Sequence, residues 1–316
     1  MRYIKDLRDG EMLSETYLCK VKQTLTTKAG KNYYSLALQD KTGLLDAKIW
    51  DLGPGIDHFE AMDYIHIDGQ VISFQGTLQL NVKRIRKSHE GEYYPSDYMP
   101  VSNKNINDMY QELTSFITVI KEPHLKTLVE YFFVNDKQFI TSFKNHSAAR
   151  SVHHGFVGGL LEHTLGVVKF CDYLAMNYPI IHKDLLISAA LFHDIGKLEE
   201  LSSFPENEYT DAGQLMGHIF IGANKVNEQI KNIPNFPVKL ANELVHCILA
   251  HHGELEYGSP KKPAIVEAVA LNFADNADAK IQTMTELLSS NEDKADWIGY
   301  QKLFESNVRH SWKSKE

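Results

Sequence analysis

The sequence predicts a two-domain protein in which a small β-barrel precedes an all-helical domain. Apolar residues alternate with a period of two as far as about Lys87, and from Ile106 onward they recur at three- and four-residue intervals. The segment between these patterns, SHEGEYYPSDYMPVSNKN, is polar, contains two prolines and lacks periodicity. We therefore expect a barrel domain over residues 1–88, a linker over 89–105 and an all-α domain over 106–316. A chain of 316 residues is long enough for two such cores.

Five short strands are predicted between Thr16 and Lys87. In the run NYYSLALQD, Tyr34, Leu36 and Leu38 share one face, and the runs LLDAKIW and TLQLNVKRI alternate in the same way. The segments KAGKN and DKTG supply turn residues between strands. Five strands with a Gly- and Pro-containing connection, DLGPGIDHFEAMD, after the third are typical of a small closed barrel of the OB-fold type.

The outer face of this barrel is a candidate nucleic-acid surface. In an OB-fold, strands two and three bind single-stranded nucleic acid or sugars, and aromatic and basic side chains supply the contacts to a strand. The candidates are two aromatic and four basic residues: Tyr33, Trp50, Lys48, Lys83, Arg84 and Arg86. A second interpretation stays open, because an outward tryptophan is often an ordinary sheet residue and the run KRIRK is also typical of a solvated edge that blocks aggregation.

Composition narrows the class of protein. The formal net charge is −8, from 33 basic and 41 acidic residues, which excludes an overall attraction to nucleic acid or anionic lipid. Any polyanion site must be local: between Ser14 and Glu90 ten basic residues face nine acidic ones, which leaves about −9 for the rest of the chain. The three cysteines lie far apart without CxxC spacing, and no apolar run reaches the ~18 residues that cross a bilayer. We expect a soluble cytoplasmic protein.

An apolar helical run, LLISAALF, ends on His193 and Asp194 in the segment LFHDIGK. Neighbouring side chains on a helix point about 100° apart, so both reach one ion only where the helix ends. Gly196 permits that ending and a close approach by another group. The competing interpretation is a buried core histidine beside an aspartate that caps the next helix, and an isolated HD dipeptide favours it.

The number and positions of the other histidines favour a metal site over a core histidine and a capping aspartate. Ten of the fifteen histidines lie between His146 and His252. Five of them are predicted within an apolar helix or at a helix end: His163, His193, His218, His251 and His252. The predicted metal ligands come from separate helices and are His163, His193, Asp194, His218, His251 and Asp275. Imidazole and carboxylate ligands without thiolate suit Mn²⁺, Fe²⁺, Co²⁺, Ni²⁺ or Zn²⁺ better than Mg²⁺ or Ca²⁺.

The same residues predict a two-ion hydrolase. With His163, His193 and Asp275 around one ion, a bridging Asp194 reaches a second ion held by His218 and His251. Two ions about 3.5 to 4 Å apart are the usual arrangement for phosphoester hydrolysis. Asp194 and Lys197 are the predicted catalytic residues, with Lys197 neutralising a phosphate oxygen. Taken alone, Lys197 fits a cation near a helix C-terminus equally well.

The ordered series GGLLEHT, LFHDIGK, GHIFIG, AHHGE and ADNADAK resembles the HD-domain metal phosphohydrolase superfamily, in its two-metal branch. The segment HHGFVGGLLEHT behind an OB-like domain resembles more narrowly the YhaM family of bacterial 3′-5′ exoribonucleases, over nearly the whole chain. The resemblance implies a manganese-dependent enzyme with two ions. It also implies removal of nucleotides from the 3′ end of single-stranded RNA, with DNA as an alternative substrate, and release of nucleoside 5′-monophosphates.

Some assignments and alternatives stay open at this point. Arg150, His153, His154 and His252 are candidates for an extra ligand or a phosphate contact. One alternative is a phosphohydrolase of free nucleotides or cyclic dinucleotides, and another is a non-catalytic RNA-binding protein with a structural metal. Replacing Tyr33 and Trp50 distinguishes the first alternative, because turnover of RNA would then be unchanged. A homo-oligomer is expected from the apolar helices.

Overall fold

The computed structural model describes residues 1–74, 76–94, 97–99, 101–150, 154–289, 291 and 296–312. It divides into two compact units. The first comprises residues 1–103 together with 203–207, and the second comprises 104–202 together with 208–316.

The first unit is a closed five-stranded barrel. Its strands are β1 (Met12–Thr26), β2 (Asn32–Asp40), β3 (Gly43–Ile49), β4 (Tyr64–Phe74) and β5 (Thr77–Lys87). They follow the order β1-β2-β3-β5-β4, and β3 pairs with β5 in parallel. The long strand β1 pairs with β4 through its first half and with β2 through its second half, which closes the barrel. This is the predicted OB-type barrel.

Alternation along the strands builds the barrel core. Leu36 and Leu38 on β2 and Ala47 and Ile49 on β3 are buried, while the residues between them face outward. Because side chains alternate across a sheet, a period of two separates an apolar interior from a polar exterior. The predicted inward residues of these strands are confirmed.

Part of the segment expected as a linker packs within the first unit. The ring of Tyr93 stacks on that of Tyr64 with centroids 3.9 Å apart, and Tyr98 meets Tyr64 edge-on at 5.0 Å. Tyr98 is 3% exposed. The polar composition of this segment predicted a linker. The tyrosines within it nevertheless pack on Tyr64, on the outer face of β4.

The second unit is built from helices. They are α1 (Ile106–Thr118), α2 (Pro123–Glu130), α3 (Lys137–Asn145), α4 (Gly159–Asn177), α5 (Lys183–Phe192), α6 (Lys197–Glu200), α7 (Asp211–Ile230), α8 (Val238–Ala250) and α9 (Val266–Ser289). Helix α5 is buried from Leu185 to Phe192, and α4 is buried along most of its first three turns. The centre of the unit is therefore a pair of apolar helices. Helices α1, α2, α3, α8 and α9 pack against this pair, and α7 packs against α6 and α8. None of the described helices is long and apolar enough to cross a membrane.

The C-terminal end adds a hairpin to the predicted helical domain. Strands β6 (Trp297–Gln301) and β7 (Ser306–Arg309) pair antiparallel, and of their residues only Val308 is buried. The prediction of an all-α region from residue 106 lacked this hairpin and is corrected here. The strands are short, and Gly299 at φ +108 shifts the register, so no period of two is visible in the sequence.

Candidate metal centre

His193 and Asp194 lie in the turn that follows α5. The end of this buried helix brings His193 (0% exposed) and Asp194 (2% exposed) into the interior. The chain turns at Gly196, where a Cβ atom would lie 2.0 Å from the backbone oxygen of His218. Glycine is required at this position because α7, which carries His218, approaches the turn too closely for any side chain.

Asp194 lies between two pairs of imidazole nitrogens. Its Oδ2 is 3.4 Å from His163 Nε2 and 3.4 Å from His193 Nε2. Its Oδ1 is 3.4 Å from His218 Nε2 and 3.7 Å from His251 Nε2. Each oxygen of one carboxylate thus faces its own group of donor atoms.

Asp275 belongs to the group on the Oδ2 side. Its Oδ1 is 3.1 Å from His163 Nε2 and 4.0 Å from His193 Nε2, and these two nitrogens are 3.2 Å apart. Donors that bind one ion at about 2.0–2.2 Å lie roughly 3 to 3.5 Å from one another. The spacing of these atoms fits a shared divalent cation.

The group on the Oδ1 side contains polar atoms without partners. Asp194 Oδ1, His218 Nε2 and His251 Nε2 are buried and have no hydrogen-bond partner among the residues that the structure describes. Leaving such atoms unsatisfied costs about 1–3 kcal/mol each. His252 joins this group, since its ligand atom lies within 4.8 Å of those of His218 and His251. A bound cation would satisfy these donors together.

Each imidazole of the centre has its Nδ1 bonded, and the Nε2 atoms of four of them, His163, His193, His218 and His251, face Asp194. The Nδ1 acceptors are Asp278 Oδ2 for His163, the backbone oxygen of Ala190 for His193, Glu200 Oε1 for His218, the backbone oxygen of Ile248 for His251 and that of Tyr257 for His252, all at 2.7–2.8 Å. A donated Nδ1–H leaves Nε2 as the atom available to a cation, which is the arrangement usual for metal-binding histidines. Burial acts to lower the pKa of His163, yet hydrogen bonds to Asp194, Asp275 and Asp278 raise it well above its ordinary value, so binding of a cation would release a proton from this ring.

Two of these acceptors, Asp278 and Glu200, were missed by sequence reasoning. Asp278 follows Asp275 by one helical turn, so it lies on the same face of α9, and this spacing was the available signal. A Cβ atom at Gly166 would lie 2.0 Å from Asp278 Oδ1, so a glycine on α4 admits the carboxylate. Glu200 offered no comparable signal, because its contact with His218 depends on how α6 meets α7.

Charge and burial set the protonation of the centre. Burial alone would raise the pKa of Asp194, but the Lys197 ammonium, whose Nζ is 2.6 Å from Oδ2, and the nearby imidazoles hold it well below its ordinary value. Burial lowers the pKa of His251 well below its ordinary value. Burial also acts to lower the pKa of Lys197, yet Asp194 raises it overall. At neutral pH the carboxylate is ionised, His251 is neutral and Lys197 is charged.

Comparison with known proteins agrees with this geometry. The family profile described as "HD domain" matches residues 160–280, which include all of the donors above. The curated protein "3′-5′ exoribonuclease YhaM" from Geobacillus sp. is 31% identical over 281 residues, which cover 88% of this chain and 86% of the relative. The chain belongs to the YhaM family.

Two solved structures resemble parts of this YhaM-family chain. The second OB-fold domain of replication protein A from Methanococcus maripaludis is 19% identical and covers 28% of this chain and 96% of its own, with a TM-score of 0.24. The HD domain of the L. monocytogenes phosphodiesterase PgpH is 18% identical and covers 42% of this chain and 76% of its own, with a TM-score of 0.27. With scores this low, the fold assignment rests on the strand pairing and helix packing of the chain itself.

A cavity of about 1110 Å³ opens onto the metal centre of this YhaM-family chain. His163, Asp194 and Asp275 line it, together with Lys197 and His252. Imidazole and carboxylate donors at the base of a cavity, with an ammonium beside them, suit a metal-dependent attack on a phosphate ester.

The remaining candidates near α4 have other contacts. His154 is 2% exposed, and its Nε2 lies 3.1 Å from Asp278 Oδ2, so it supports the acceptor of His163. Arg150 forms an ion pair with Glu208 at 2.8 Å. A ligand or phosphate contact by either residue stays a prediction. His153 lies outside the described residues.

The predicted nucleic-acid face of the barrel consists of side chains that largely contact one another. Tyr33 and Trp50 are stacked with ring centroids 4.6 Å apart, and Trp50 is 44% exposed. The Lys48 ammonium donates to Ser35 Oγ and to Asp46 Oδ1, each at 2.7 Å.

The basic residues of β5 divide into two kinds. Arg86 forms a two-point ion pair with Glu92, at 2.7 and 3.1 Å. Lys83 and Arg84 are exposed and form no ion pair within the described ranges. Only part of the basic run is therefore open to a phosphate without breaking an existing pair.

Proposed function

We propose that this chain is a metal-dependent 3′-5′ exoribonuclease that hydrolyses the phosphodiester bonds of single-stranded RNA and releases nucleoside 5′-monophosphates. The observation that carries the proposal is Asp194, whose two oxygens face two separate groups of imidazole donors in a chain of the YhaM family. A carboxylate in this position is suited to bridge two ions, which is the arrangement used to cleave phosphodiesters.

In this proposal one ion is held by His163, His193, Asp194 and Asp275. The other is held by Asp194, His218 and His251, with His252 as the additional ligand. Mn²⁺ is the proposed ion, with Fe²⁺, Co²⁺ or Ni²⁺ as alternatives, because the donors mix imidazole and carboxylate without thiolate.

When bound, the ions supply an activated water and neutralise charge on the phosphate. The protein residues supply orientation and the remaining charge. Asp278 and Glu200 hold the rings of His163 and His218 through their Nδ1–H groups. Lys197, charged at neutral pH and lining the cavity, is suited to contact a phosphate oxygen as negative charge develops there.

The barrel is the proposed platform for the single strand. The stacked pair Tyr33 and Trp50 offers aromatic surface to a base, and exposed Lys83 and Arg84 offer charge to the phosphates. Self-association is also proposed, since Val269 and Phe273 on α9 are 41% and 67% exposed, and sedimentation analysis tests it.

The test is degradation of 5′-labelled single-stranded RNA by metal-stripped protein, with and without Mn²⁺. We expect a ladder that shortens from the 3′ end only when metal is present. Asp194→Asn keeps the shape of the side chain but removes the charge that both donor groups share, so we expect turnover to fall at least about 1,000-fold, beyond the ~10²–10³ lost with one transition-state donor.

Asp172→Asn is the matched control, because Asp172 pairs with Lys183 on the surface and contacts no proposed ligand. It should retain wild-type turnover. Substantial activity in Asp194→Asn would contradict the bridging role, and RNA left intact under every metal would contradict the exoribonuclease.

A further inference from the structure

The C-terminal hairpin lines part of the cavity at the metal centre. The turn between β6 and β7 covers residues 302–305, and Lys302, Leu303 and Phe304 line the same cavity as His163 and Asp194. The hairpin is thus part of the space into which a substrate must enter to reach the proposed ions.

The residues of this turn are unusual for their position. Turns mostly carry Gly, Asn, Asp, Pro or Ser, and a residue at positive φ is usually Gly or Asn. Here Glu305 has a φ of +48°, Leu303 is 60% exposed and Phe304 is half-buried. Since Val308 is the only buried residue of the two strands, the turn does not belong to a large apolar core either. Neither turn geometry nor core packing explains an aromatic ring at this cavity wall.

Two lysines border the same cavity. Lys280, near the middle of α9, and Lys302, in the turn, are both exposed and line it. Among the described residues neither ammonium group takes part in an ion pair. The exposed charged residues that line the cavity are these two lysines and Glu305, a net charge of +1 (2 − 1). In a region whose net charge is negative, such a local excess of positive charge raises the concentration of an anionic ligand.

The cavity is large for a small molecule. Its volume of about 1110 Å³ exceeds the ~300–1,000 Å³ typical of small-ligand sites. It therefore admits the terminal nucleotides of a strand as well as a single free nucleotide.

We propose that the hairpin turn and Lys280 bind the 3′-terminal nucleotides of the substrate, an inference that rests on the proposed function. The Phe304 ring stacks on the terminal base, and the ammonium groups of Lys280 and Lys302 contact backbone phosphates. Aromatic stacking tolerates any base, because every base has a π-face. These residues are positioning residues, since the bond cleavage itself belongs to the metal centre.

The test combines a protein variant with a substrate variant, using the full-length chain with Mn²⁺. Initial rates are measured on a single-stranded RNA with an ordinary 3′-terminal nucleotide and on the same RNA with an abasic 3′-terminal residue. Phe304→Ala should lower kcat/KM on the ordinary RNA by about 5- to 150-fold, the value expected for one lost stacking contact. It should leave kcat/KM on the abasic RNA unchanged, because no base is present to stack.

The controls lie close to the changed residues. Tyr300→Ala removes another exposed aromatic ring of the same hairpin, one that is outside the cavity lining, and should match wild type on both RNAs. Phe304→Tyr keeps the π-face and should restore discrimination between the two RNAs. It also shows that the Ala variant lost a ring contact and not the fold of the hairpin.

The lysines are tested through salt dependence of kcat/KM. Each phosphate contact on a single strand contributes about 0.7 to the log–log salt slope. Lys280→Gln and Lys302→Gln should each reduce the slope by about that amount, and Lys231→Gln, an exposed lysine outside the cavity lining, should not.

The outcomes distinguish failure of the proposed function from failure of the hairpin proposal. If wild type leaves both RNAs intact, the proposed function fails and this inference fails with it. If wild type degrades RNA from the 3′ end but Phe304→Ala lowers both rates equally, or neither, the hairpin inference alone is overturned. Unchanged salt slopes in both lysine variants would overturn the phosphate contacts.

Discussion

The outer face of the barrel and the metal centre differ in how far their polar groups are satisfied within the chain. On the barrel, Trp50 stacks on Tyr33, and the Lys48 ammonium is bonded to Ser35 and Asp46. A ligand at this face has to exchange contacts that already exist. The free energy of binding gained from each contact at this face is therefore expected to be modest, and the total affinity should depend on how many contacts are exchanged.

At the metal centre, by contrast, several polar atoms lack a hydrogen-bond partner within the described part of the chain. Among the described residues, Asp194 Oδ1, His218 Nε2 and His251 Nε2 are buried and lack hydrogen-bond partners. The Nδ1 atoms of the two histidines, by contrast, are bonded, so both rings are oriented and only their Nε2 atoms remain open. Such a site is prepared to bind a cation, and the contrast with the barrel indicates that buried polar atoms without hydrogen-bond partners identify a ligand site better than residue types alone.

Replacing the carboxylates that accept hydrogen bonds from the imidazoles should have the largest effect among the variants that follow. Asp278→Asn and Glu200→Gln each remove the charge that orients one histidine, so each should weaken Mn²⁺ binding about 10- to 100-fold. Titration calorimetry on the metal-free protein measures this, with the surface pair residue Glu112→Gln as control. Because the two acceptors serve different donor groups, each variant should weaken one binding step and spare the other. If both variants bind like wild type, the orientation of the rings is not what prepares the centre.

On the barrel, replacement of Trp50 should have a smaller effect. Trp50→Ala removes the exposed ring of the stacked pair, and a lost base–aromatic contact is worth about 1–3 kcal/mol. Since the free protein already stacks this ring on Tyr33, we expect the lower end, a roughly 5-fold weaker affinity for single-stranded RNA. Fluorescence anisotropy on metal-stripped, full-length protein measures it. Phe74→Ala, a ring 53% exposed at the end of β4, is the control. A larger loss with Phe74→Ala than with Trp50→Ala would relocate the strand on the barrel.

A buried histidine whose two ring nitrogens both lie near backbone oxygens provides an internal reference for the histidines of the metal centre. The neutral ring has a single N–H and donates it to one of these oxygens. His146 is 4% exposed, and its ring nitrogens lie 3.0 and 3.2 Å from the backbone oxygens of Ser147 and Leu201. Burial lowers the pKa of His146 below its ordinary value, so the unfolded chain binds this proton at a higher pH than the folded one. Its stabilising contribution is complete above about pH 6.5 and is lost as pH falls below that value, with a slope of at most about 1.4 kcal/mol per pH unit.

Urea unfolding of metal-free protein at pH 7.5 and pH 5.5 checks this contribution. Wild type should lose more stability on acidification than His146→Gln, whose side chain does not titrate. Equal losses would mean that His146 titrates alike in the folded and unfolded states.

The sequence predicts different features of the metal centre and of the barrel. The six proposed ligands could be named because of their positions within or at the ends of apolar helical runs. The structure brings Asp194 Oδ2 and Asp275 Oδ1 to 3.4 and 4.0 Å from His193 Nε2. The acceptors of the Nδ1 protons could not be named so readily. Backbone oxygens such as that of Ala190 leave no trace in the sequence, and Glu200 depends on packing between helices.

The barrel shows the reverse pattern. Its strands and inward residues could be predicted from the alternation of apolar residues. The hydrogen bonds and ion pairs of its outward residues could not. Lys48 is an exposed cation by its position in the sequence, yet two neighbours across and along the strand bond it. The C-terminal hairpin was invisible because strands of four and five residues with Gly299 at positive φ are too short for a period to be recognised.

The smallest expected effect separates the basic residues of β5. Lys83 and Arg84 are exposed without an ion pair among the described residues, whereas Arg86 is bound at two points by Glu92. Each phosphate contact on a single strand adds about 0.7 to the log–log salt slope, or about a threefold change in affinity between 50 and 200 mM salt. Lys83→Gln and Arg84→Gln should each lower the slope by that amount in an anisotropy titration, and Arg86→Gln should leave it unchanged. If Arg86→Gln changes the salt slope as much as the other two variants do, the Arg86–Glu92 ion pair breaks when RNA binds. Fewer of the polar groups on the barrel face would then be paired within the chain in the complex than in the free protein.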